Sequence, residues 1–597
     1  MQASGDPQAE YARRLQERSA VANELDRRAR LIGNARFLVG ICAAILAFFV
    51  FGRVSISPFW LILPVILFVV LAVWHSRVFS SLGRARRSIT FYDKGLARLQ
   101  DRWPGAGEQG NRYRDPSHVY AEDLDLFGSG SLYELLCTAR TRAGEDLLAH
   151  WLLSPAAPSE VLERQTAISE TRANVGLREE FTLAGEDFRS EFHPASLTQW
   201  VKRPPARFPL GTRFAAALVT GATLLTFTLY MASILTRTPF LACLLIDLAF
   251  GFALRSRVSA VVDSVESPAR DLALAAAMLQ LIEQRQFQAP MLQRLRRELE
   301  TEGLAASAHI ANLERLVDRL DWQHNLFFAP IAAVLQWSTH LSIAVEKWRA
   351  QWGGEVRRWL DVIAEWEALG ALATYSFEHP TDPFPELAQG GSCFQAEQVA
   401  HPLMPGSKCV PNDVSLGGPL QLLIVSGSNM SGKSTLLRSV GLNTVLAWAG
   451  APVRAKRLRI SPLQVGASIR VLDSLQDGRS RFYAEITRLR QILDLTAGER
   501  TVLFLIDELL SGTNSHDRRI GAEAIVKGLV ERGAAGIITT HDLALVHIAD
   551  DLGGGARNLH FADVLENGAL RFDYQLHEGV VQRSNALELM RSVGLPL

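Results

Sequence analysis

The stretch LQLLIVSGSNMSGKSTLLRS, Leu420–Ser439, is an apolar run that turns abruptly into GSNMSGKS and then into a helical pattern. It fits the spacing G-x-x-x-x-G-K-[ST] of a phosphate-binding loop between a strand and a helix. The oxygens of a nucleoside triphosphate need several donors at once. This layout offers the backbone N–H groups of Ser428, Asn429, Met430, Ser431, Gly432, Lys433 and Ser434, with Thr435 in the first turn of a helix whose positive end faces the phosphates. Gly427 and Gly432 let the backbone come that close. Lys433 is expected to place a mobile cation on the β and γ phosphates, and the Ser434 hydroxyl to hold Mg²⁺.

A chain of 597 residues is too long for one core and suggests about three to five units of ~100–200 residues each. Its 62 basic residues balance 62 acidic ones, so no global basic field points to nucleic acid, although a local patch stays open. The five cysteines, Cys42, Cys137, Cys243, Cys393 and Cys409, lack C-x-x-C spacing and read as reduced thiols, which excludes a disulfide framework and a zinc site.

Residues 1–36 read as a charged helix that ends in a basic cluster. Within 37–77, apolar runs Phe37–Gly52 and Pro58–Trp74 flank a short break, each approaching the ~17–25 residues needed to cross a bilayer. A second pair, Phe214–Leu235 and Pro239–Leu254, fills 213–255. The flanks of both pairs are basic, and each short turn holds one arginine. The positive-inside bias then puts the termini and the large soluble parts in the cytoplasm, with both pairs as membrane hairpins. Two buried hairpins of a soluble core are the alternative. Asp247 leans toward it, because an ionisable group inside a span is costly unless paired.

Residues 78–212 carry an amphipathic helix pair broken near Gly144, and 256–378 carry long helical patterns. Trp348, Trp352, Trp359 and Trp366 share one helix face there, as buried core or as a base-stacking stripe beside Arg349, Arg357 and Arg358. Residues 379–392, rich in Pro and Gly, read as a linker. In 393–597 strands and helices alternate, the pattern of a mainly parallel α/β sheet. Strands are expected at Leu463–Ile469, Val502–Ile506 and Gly536–Thr540, with a helix from Phe482. Asp507 and Glu508 follow the second of these strands, where such sheets bind ligands. Asp507 is expected to complete the Mg²⁺ shell, Glu508 to orient or deprotonate the attacking water, and His541, after the last strand, to sense the γ-phosphate.

GSNMSGKSTLLRSVGLNTVLAWAGAPV resembles the phosphate loop of the MutS family of DNA mismatch-repair ATPases. The resemblance extends to HPL at His401–Leu403, VPND at Val410–Asp413, GASIRVLDSLQDGRSRFYAEI, DELLSGTNSHD at Asp507–Asp517 and TTHD at Thr539–Asp542. EDLDLFGSGSLYELLCTARTRAGEDLLAHWL, from Glu122, is similar to the family's core domain. The resemblance implies an ABC/MutS-type P-loop NTPase domain behind an all-α core-like domain, and a composite ATP site shared by two subunits of a homodimer. In that site Gly478–Ser480 would cross to the partner's γ-phosphate, Asn429 would lie beside the phosphates, and Ser511–Asp517 would form the cross-subunit loop. Cys409 occupies the position of the family's adenine-stacking aromatic, and Tyr574 from a C-terminal hairpin is the candidate substitute. Arg583–Leu597 is similar to the family's closing helix.

No Phe-x-Glu wedge of the mismatch-reading kind precedes the first soluble segment, and the second hairpin interrupts the region of the family's DNA-clamping helices. The expected protein is therefore a dimeric, inner-membrane MutS-like ATPase whose candidate ligand is DNA, held by shape and phosphates. An ATP-driven transporter or signalling machine without DNA is the second hypothesis, and a scaffold whose ATPase only controls dimerisation the third.

Overall fold

A computed structural model describes residues 6–52, 57–191, 194–204, 206, 208–209, 211–428, 430–470, 481–510, 513–566 and 569–581. The chain divides into two compact units: Met1–Cys137 with Leu148–Val175 and Ala371–Leu597, and Thr138–Leu147 with Gly176–Gly370.

In the first unit, the charged amino-terminal segment and the first apolar run are one continuous helix, Pro7–Phe51, started by Asp6, whose carboxylate accepts from the Gln8 N–H. Pro at the first helical position suits this start, since its missing N–H would be unsatisfied there anyway. The helix pairs along its length with Ile62–Leu99. The polar ends of this hairpin pack through Ala22, Leu82 and Ala85, and through Tyr11, Phe91 and Tyr92. At its base Gly95 is required: a Cβ there would come within 2.5 Å of the Tyr11 ring. The Tyr11 hydroxyl donates to Glu378 at 3.1 Å, and Arg98 forks onto the same carboxylate at 2.6–3.1 Å. Glu378 holds the Arg98 guanidinium above its ordinary range despite burial.

The carboxyl-terminal part contains ten strands among the described residues: β1 (Glu386–Leu387), β2 (Cys393–Val399), β3 (Asn412–Gly417), β4 (Leu422–Ser426), β5 (Arg457–Ile460), β6 (Leu463–Ser468), β7 (Thr501–Ile506), β8 (Ala535–Thr540), β9 (Ala556–Glu566) and β10 (Ala569–Glu578). Six form one sheet in the order β10-β9-β4-β8-β7-β6, parallel except for the β9–β10 hairpin. Its central strands are buried along nearly their whole length because both faces are covered. Helices Lys433–Ala449, Arg481–Leu495 and Ser515–Glu531 follow β4, β6 and β7. The other four strands make a separate sheet, β1-β5-β2-β3, in which β2 runs antiparallel to both neighbours. The expected single alternation from Cys393 is thus two sheets, and the stretch read as a linker contributes β1.

The segment before residue 128 is fastened to this α/β part. Asp123 Oδ1 accepts from the Ile469 and Arg470 N–H groups at 2.7 Å, and its carbonyl accepts from Arg438 at 3.0 Å. Arg488 grips the Pro116 and His118 carbonyls. Arg164, 2% exposed, lies over the Trp151 ring and donates to the Ala449 carbonyl at the end of the Lys433–Ala449 helix, where a cation complements the helix dipole.

Among its described residues the second unit carries helices and one two-residue ladder, Glu300–Thr301 with Leu304–Ala305. Trp348, Trp352, Trp359 and Trp366 are all buried, and Trp366 packs on Phe181 and Phe287. The stripe is core, which removes it as a base-stacking surface. The expected helix pair is Leu132–Leu136 and Arg142–Leu153, broken at 137–141 just before Gly144, where Glu367 fills the space a side chain would take. Glu367 accepts from the Arg140 and Thr141 N–H groups, and burial pushes its carboxyl up to about 7.

Among the described residues four helices are long and apolar enough to cross a membrane: Pro7–Phe51, Pro58–Leu99, Thr212–Met231 and Arg237–Glu283. Their apolar windows are only 0%, 0%, 11% and 11% buried, so neither pair is the core of a folded unit. Asp247, by contrast, is fully buried and bonded to Gln336 at 2.8 Å.

Replacing Glu378 by Leu leaves the Arg98 charge buried without its carboxylate. The expected loss is about 3–5 kcal/mol of stability, read as a fall in the denaturation midpoint of detergent-solubilised protein. An unchanged midpoint would show that the pair carries nothing.

Candidate nucleotide site

Three neighbouring strands of the parallel sheet, β4, β8 and β7, deliver the site from their carboxyl ends, the edge at which open α/β sheets bind ligands. After β4 the glycine-rich loop turns into the helix Lys433–Ala449. Gly427 and Gly432 hold positive φ values of 158° and 106°, and a Cβ on Gly427 would meet the Ser431 hydroxyl at 2.8 Å. Lys433 is 5% exposed and its Nζ donates to the Gly427 and Ser428 carbonyls at 2.9 and 2.8 Å. Burial pushes its ammonium below the usual lysine range, and Glu508 and then Asp507 oppose the shift.

Asp507 joins the three strands. Its Oδ2 accepts from the Ser434 hydroxyl at 2.5 Å, its Oδ1 from the Thr539 hydroxyl on β8, and its N–H donates to the Ser468 carbonyl at 2.9 Å. Glu508 follows with a φ of 51°, a left-handed conformation that costs a non-glycine residue of order 1 kcal/mol. Two bonds hold this turn: Glu508 N–H to the Thr539 hydroxyl at 3.2 Å, and Leu510 N–H to Glu485 at 2.6 Å. His541 Nδ1 lies 3.5 Å from the Glu508 carboxylate.

A cavity of about 410 Å³ opens in front of the loop. Met430, Gly432, Lys433, Ser434, Thr435 and Glu508 line it, together with Cys409 and Tyr574. Asn412 fixes the tyrosine's strand, donating to the Tyr574 carbonyl at 3.0 Å and accepting from the Leu576 N–H at 2.7 Å. The candidate stacking group and the cysteine that occupies the family aromatic's position therefore line the same cavity. Nothing in the sequence joins Asn412 to Tyr574, although Asn412 stands in the VPND motif.

The residues fit a triphosphate with Mg²⁺. The Ser428 and Ser431 hydroxyls are buried with no partner among the described residues, as an oxygen-rich ligand would leave them. One hydroxyl and one carboxylate, Ser434 and Asp507, are the small donor set that Mg²⁺ takes when phosphates and water complete its shell. Among the described residues no cluster of three His, Cys, Asp or Glu side chains offers an all-protein metal cage. Asn429, Gly478, Ser480, Ser511, Gly512 and Arg583–Leu597 lie outside the described residues.

Residues 423–597 match MutS domain V. Over 237 residues the chain is 33% identical to the DNA mismatch repair protein MutS 2 of Halobacterium salinarum, and over 214 residues 34% identical to Endonuclease MutS2 of Thermus thermophilus. The DNA mismatch repair protein MutS of Shouchella clausii is 31% identical over 240 residues. These alignments take in 38%, 34% and 40% of this chain and 27% of each relative, so the chain matches only about a quarter of their length. The matches support MutS family membership. The mixed helical remainder with a carboxyl-terminal α/β sheet fits a protein bearing that MutS domain.

The HPL motif braces the MutS-type domain. The buried His401 Nδ1 accepts from the Leu403 N–H at 3.2 Å, and Asn443 ties the Ala400 carbonyl to the loop helix at 3.0 Å. Burial first, then Arg438, pushes the imidazole down to about 4. A histidine depressed in the folded state contributes stability that is complete above the unfolded value of ~6.5 and fades as pH falls through 4. Melting followed from pH 7 to pH 4 is expected to lose up to about 3 kcal/mol through this group, and His401→Gln to flatten that part of the profile. An identical profile in the variant would remove His401 as its source.

Proposed function

We propose that this chain is a membrane-anchored MutS-like ATPase that works as a homodimer, with the ATPase domain on the cytoplasmic side of the inner membrane. The observation that carries the ATPase assignment is Asp507 held between Ser434 and Thr539, with Ser434, Lys433 and Glu508 lining one cavity. In this proposal the loop N–H groups and Lys433 hold the phosphates, and Ser434 with Asp507 holds Mg²⁺. A bound Mg²⁺ would neutralise charge on the β and γ oxygens. Lys433 exchanges its two carbonyl partners for phosphate oxygens. Glu508 orients the attacking water and accepts its proton, and His541 positions the Glu508 carboxylate. Water adds to the γ-phosphorus as the bond to the β–γ bridging oxygen breaks, giving ADP and phosphate. Tyr574 packs on the adenine across from Cys409.

Gly478 and Ser480, the Ser511–Asp517 loop and Arg583–Leu597 are assigned to the subunit interface on the family resemblance. ATP closes the interface because the γ-phosphate makes contacts that only one state permits, and hydrolysis reopens it. Two features support membrane anchoring: the four long apolar helices and the exposure of their apolar stretches. The names of the relatives, DNA mismatch repair protein and endonuclease, make DNA the candidate ligand, bound through phosphates. The ATP-driven transporter without DNA would use Asp247 as its functional group, but its burial and its bond to Gln336 suit a packing role better.

Lys433→Ala is expected to abolish ATP binding by the detergent-purified protein, and Glu508→Gln to keep ATP bound in a stable dimer with turnover reduced at least a hundredfold. Turnover by Glu508→Gln at the unmodified rate would remove Glu508 from catalysis. ATP turnover measured with duplex and branched DNA over a range of salt separates the two ligand hypotheses. Stimulation that falls steeply with salt supports DNA, and indifference to every DNA supports the transporter.

A further inference from the structure

Within the second unit, the stretch Asn325–Gln336, NLFFAPIAAVLQ, belongs to none of the four long apolar helices. Its ten residues Leu326–Leu335 carry no charge. Leu326 and Phe327 are 85% and 86% exposed, and Ile331 is 52% exposed. An apolar run of about 10–14 residues is too short to span a bilayer but suits a re-entrant or interfacial segment.

Its partners fix its depth. The Val334 carbonyl accepts from the Thr220 hydroxyl at 3.2 Å, and Gln336 donates to both the side chain and the main-chain carbonyl of Asp247 at 2.8 Å. Thr220 lies eight residues into Thr212–Met231, about 12 Å along the axis, and Asp247 ten residues into Arg237–Glu283, about 15 Å from the other end. Both positions fall near the middle of a ~30 Å hydrocarbon layer. Gly251 belongs to the same contact, since a Cβ there would meet the Gln336 amide at 3.0 Å.

Most N–H groups of the stretch are bonded locally, which suits a place without water, where an unsatisfied N–H or C=O is costly. The Asn325 side chain accepts from Phe327 N–H and Phe328 N–H at 3.0 and 3.3 Å, and its carbonyl accepts from Phe328 N–H and Ala329 N–H. Ala332, Leu335 and Gln336 donate to carbonyls three or four residues earlier, and Pro330 has no N–H to satisfy. At the two ends Trp322 and Trp337 stack with centroids 6.1 Å apart, and Trp337 Nε1 donates to the Arg319 carbonyl at 2.7 Å.

We infer that Asn325–Gln336 is a re-entrant lipid-binding segment, which enters the leaflet on the Arg213 and Arg255 side of the second hairpin, reaches mid-depth against Thr220 and Asp247, and turns back into the helix Trp337–Glu378. The inference rests on the proposed bilayer-spanning role of that hairpin. Leu326, Phe327 and Ile331 face acyl chains, and the Gln336–Asp247 bond locks the turn.

The test places single cysteines in full-length protein whose five native cysteines are serine, labels them with a fluorophore and reconstitutes the protein in phosphatidylcholine–phosphatidylglycerol vesicles. Phe327→Cys reports the segment, with Leu326→Cys as a second reporter should the first variant misfold. Val65→Cys and Leu225→Cys report the hairpins, and Lys456→Cys reports an aqueous surface. Labels at 327 or 326 are expected to be quenched by acyl-chain nitroxide lipids as the hairpin labels are, and several-fold less by aqueous iodide than the label at 456. If the hairpin labels follow lipid while 327 and 326 follow the label at 456, the re-entrant segment is overturned and the anchoring stands. Hairpin labels that themselves follow 456 overturn the anchoring, and the segment with it. Disulfide cross-linking of Phe327→Cys between two copies, without lipid quenching, would assign the surface to a second copy and overturn the lipid assignment.

Discussion

The carboxylate of Asp507 is the constraint on which the nucleotide site depends. It stands at the end of β7 and draws in a hydroxyl from the loop helix, Ser434, and a hydroxyl from β8, Thr539. Three chain segments that could otherwise splay are thereby registered to within a hydrogen bond. Thr539 also receives the Glu508 N–H, so the same hydroxyl that orients Asp507 holds the left-handed turn aiming Glu508 toward His541. Strain stored in that turn persists because several bonds over-determine it.

Around this point the structure keeps charge near neutral by local exchange. Lys433 is buried yet finds two carbonyl partners, and the two acidic groups ahead of it temper the cost of its burial. A lysine so held is a cation waiting for stronger acceptors, as a phosphate loop requires. The helix behind it is finished at the far end by Arg164 on the Ala449 carbonyl, which complements the dipole whose positive end faces the loop.

The same logic of buried polar groups recurs where the protein leaves the α/β part. Arg98 and Glu378 with Tyr11 fix the base of the first hairpin inside the unit that holds the nucleotide site. Asp247 and Gln336 fix the second hairpin to the turn before Trp337. Each pair is small, enclosed and specific, while the helices it anchors leave their apolar faces exposed.

Local spacing alone determined much of this. The loop Gly427–Ser434, the acidic pair after β7, the histidine after β8 and four apolar stretches were all legible, because phosphate cradles, buried parallel strands and long apolar helices are written in consecutive residues. The tryptophan stripe was legible as a face and, from its burial spacing, as core ahead of a base-stacking surface, and the four rings are buried. Tertiary structure decided what depends on distant partners: Tyr574 tied to Asn412 and lining one cavity with Cys409, a second sheet that takes its β1 strand from the expected linker, Glu367 filling the space at Gly144, and Gln336 reaching Asp247. Those contacts join residues tens to hundreds of positions apart, and one sequence records no distance between them until the chain has folded.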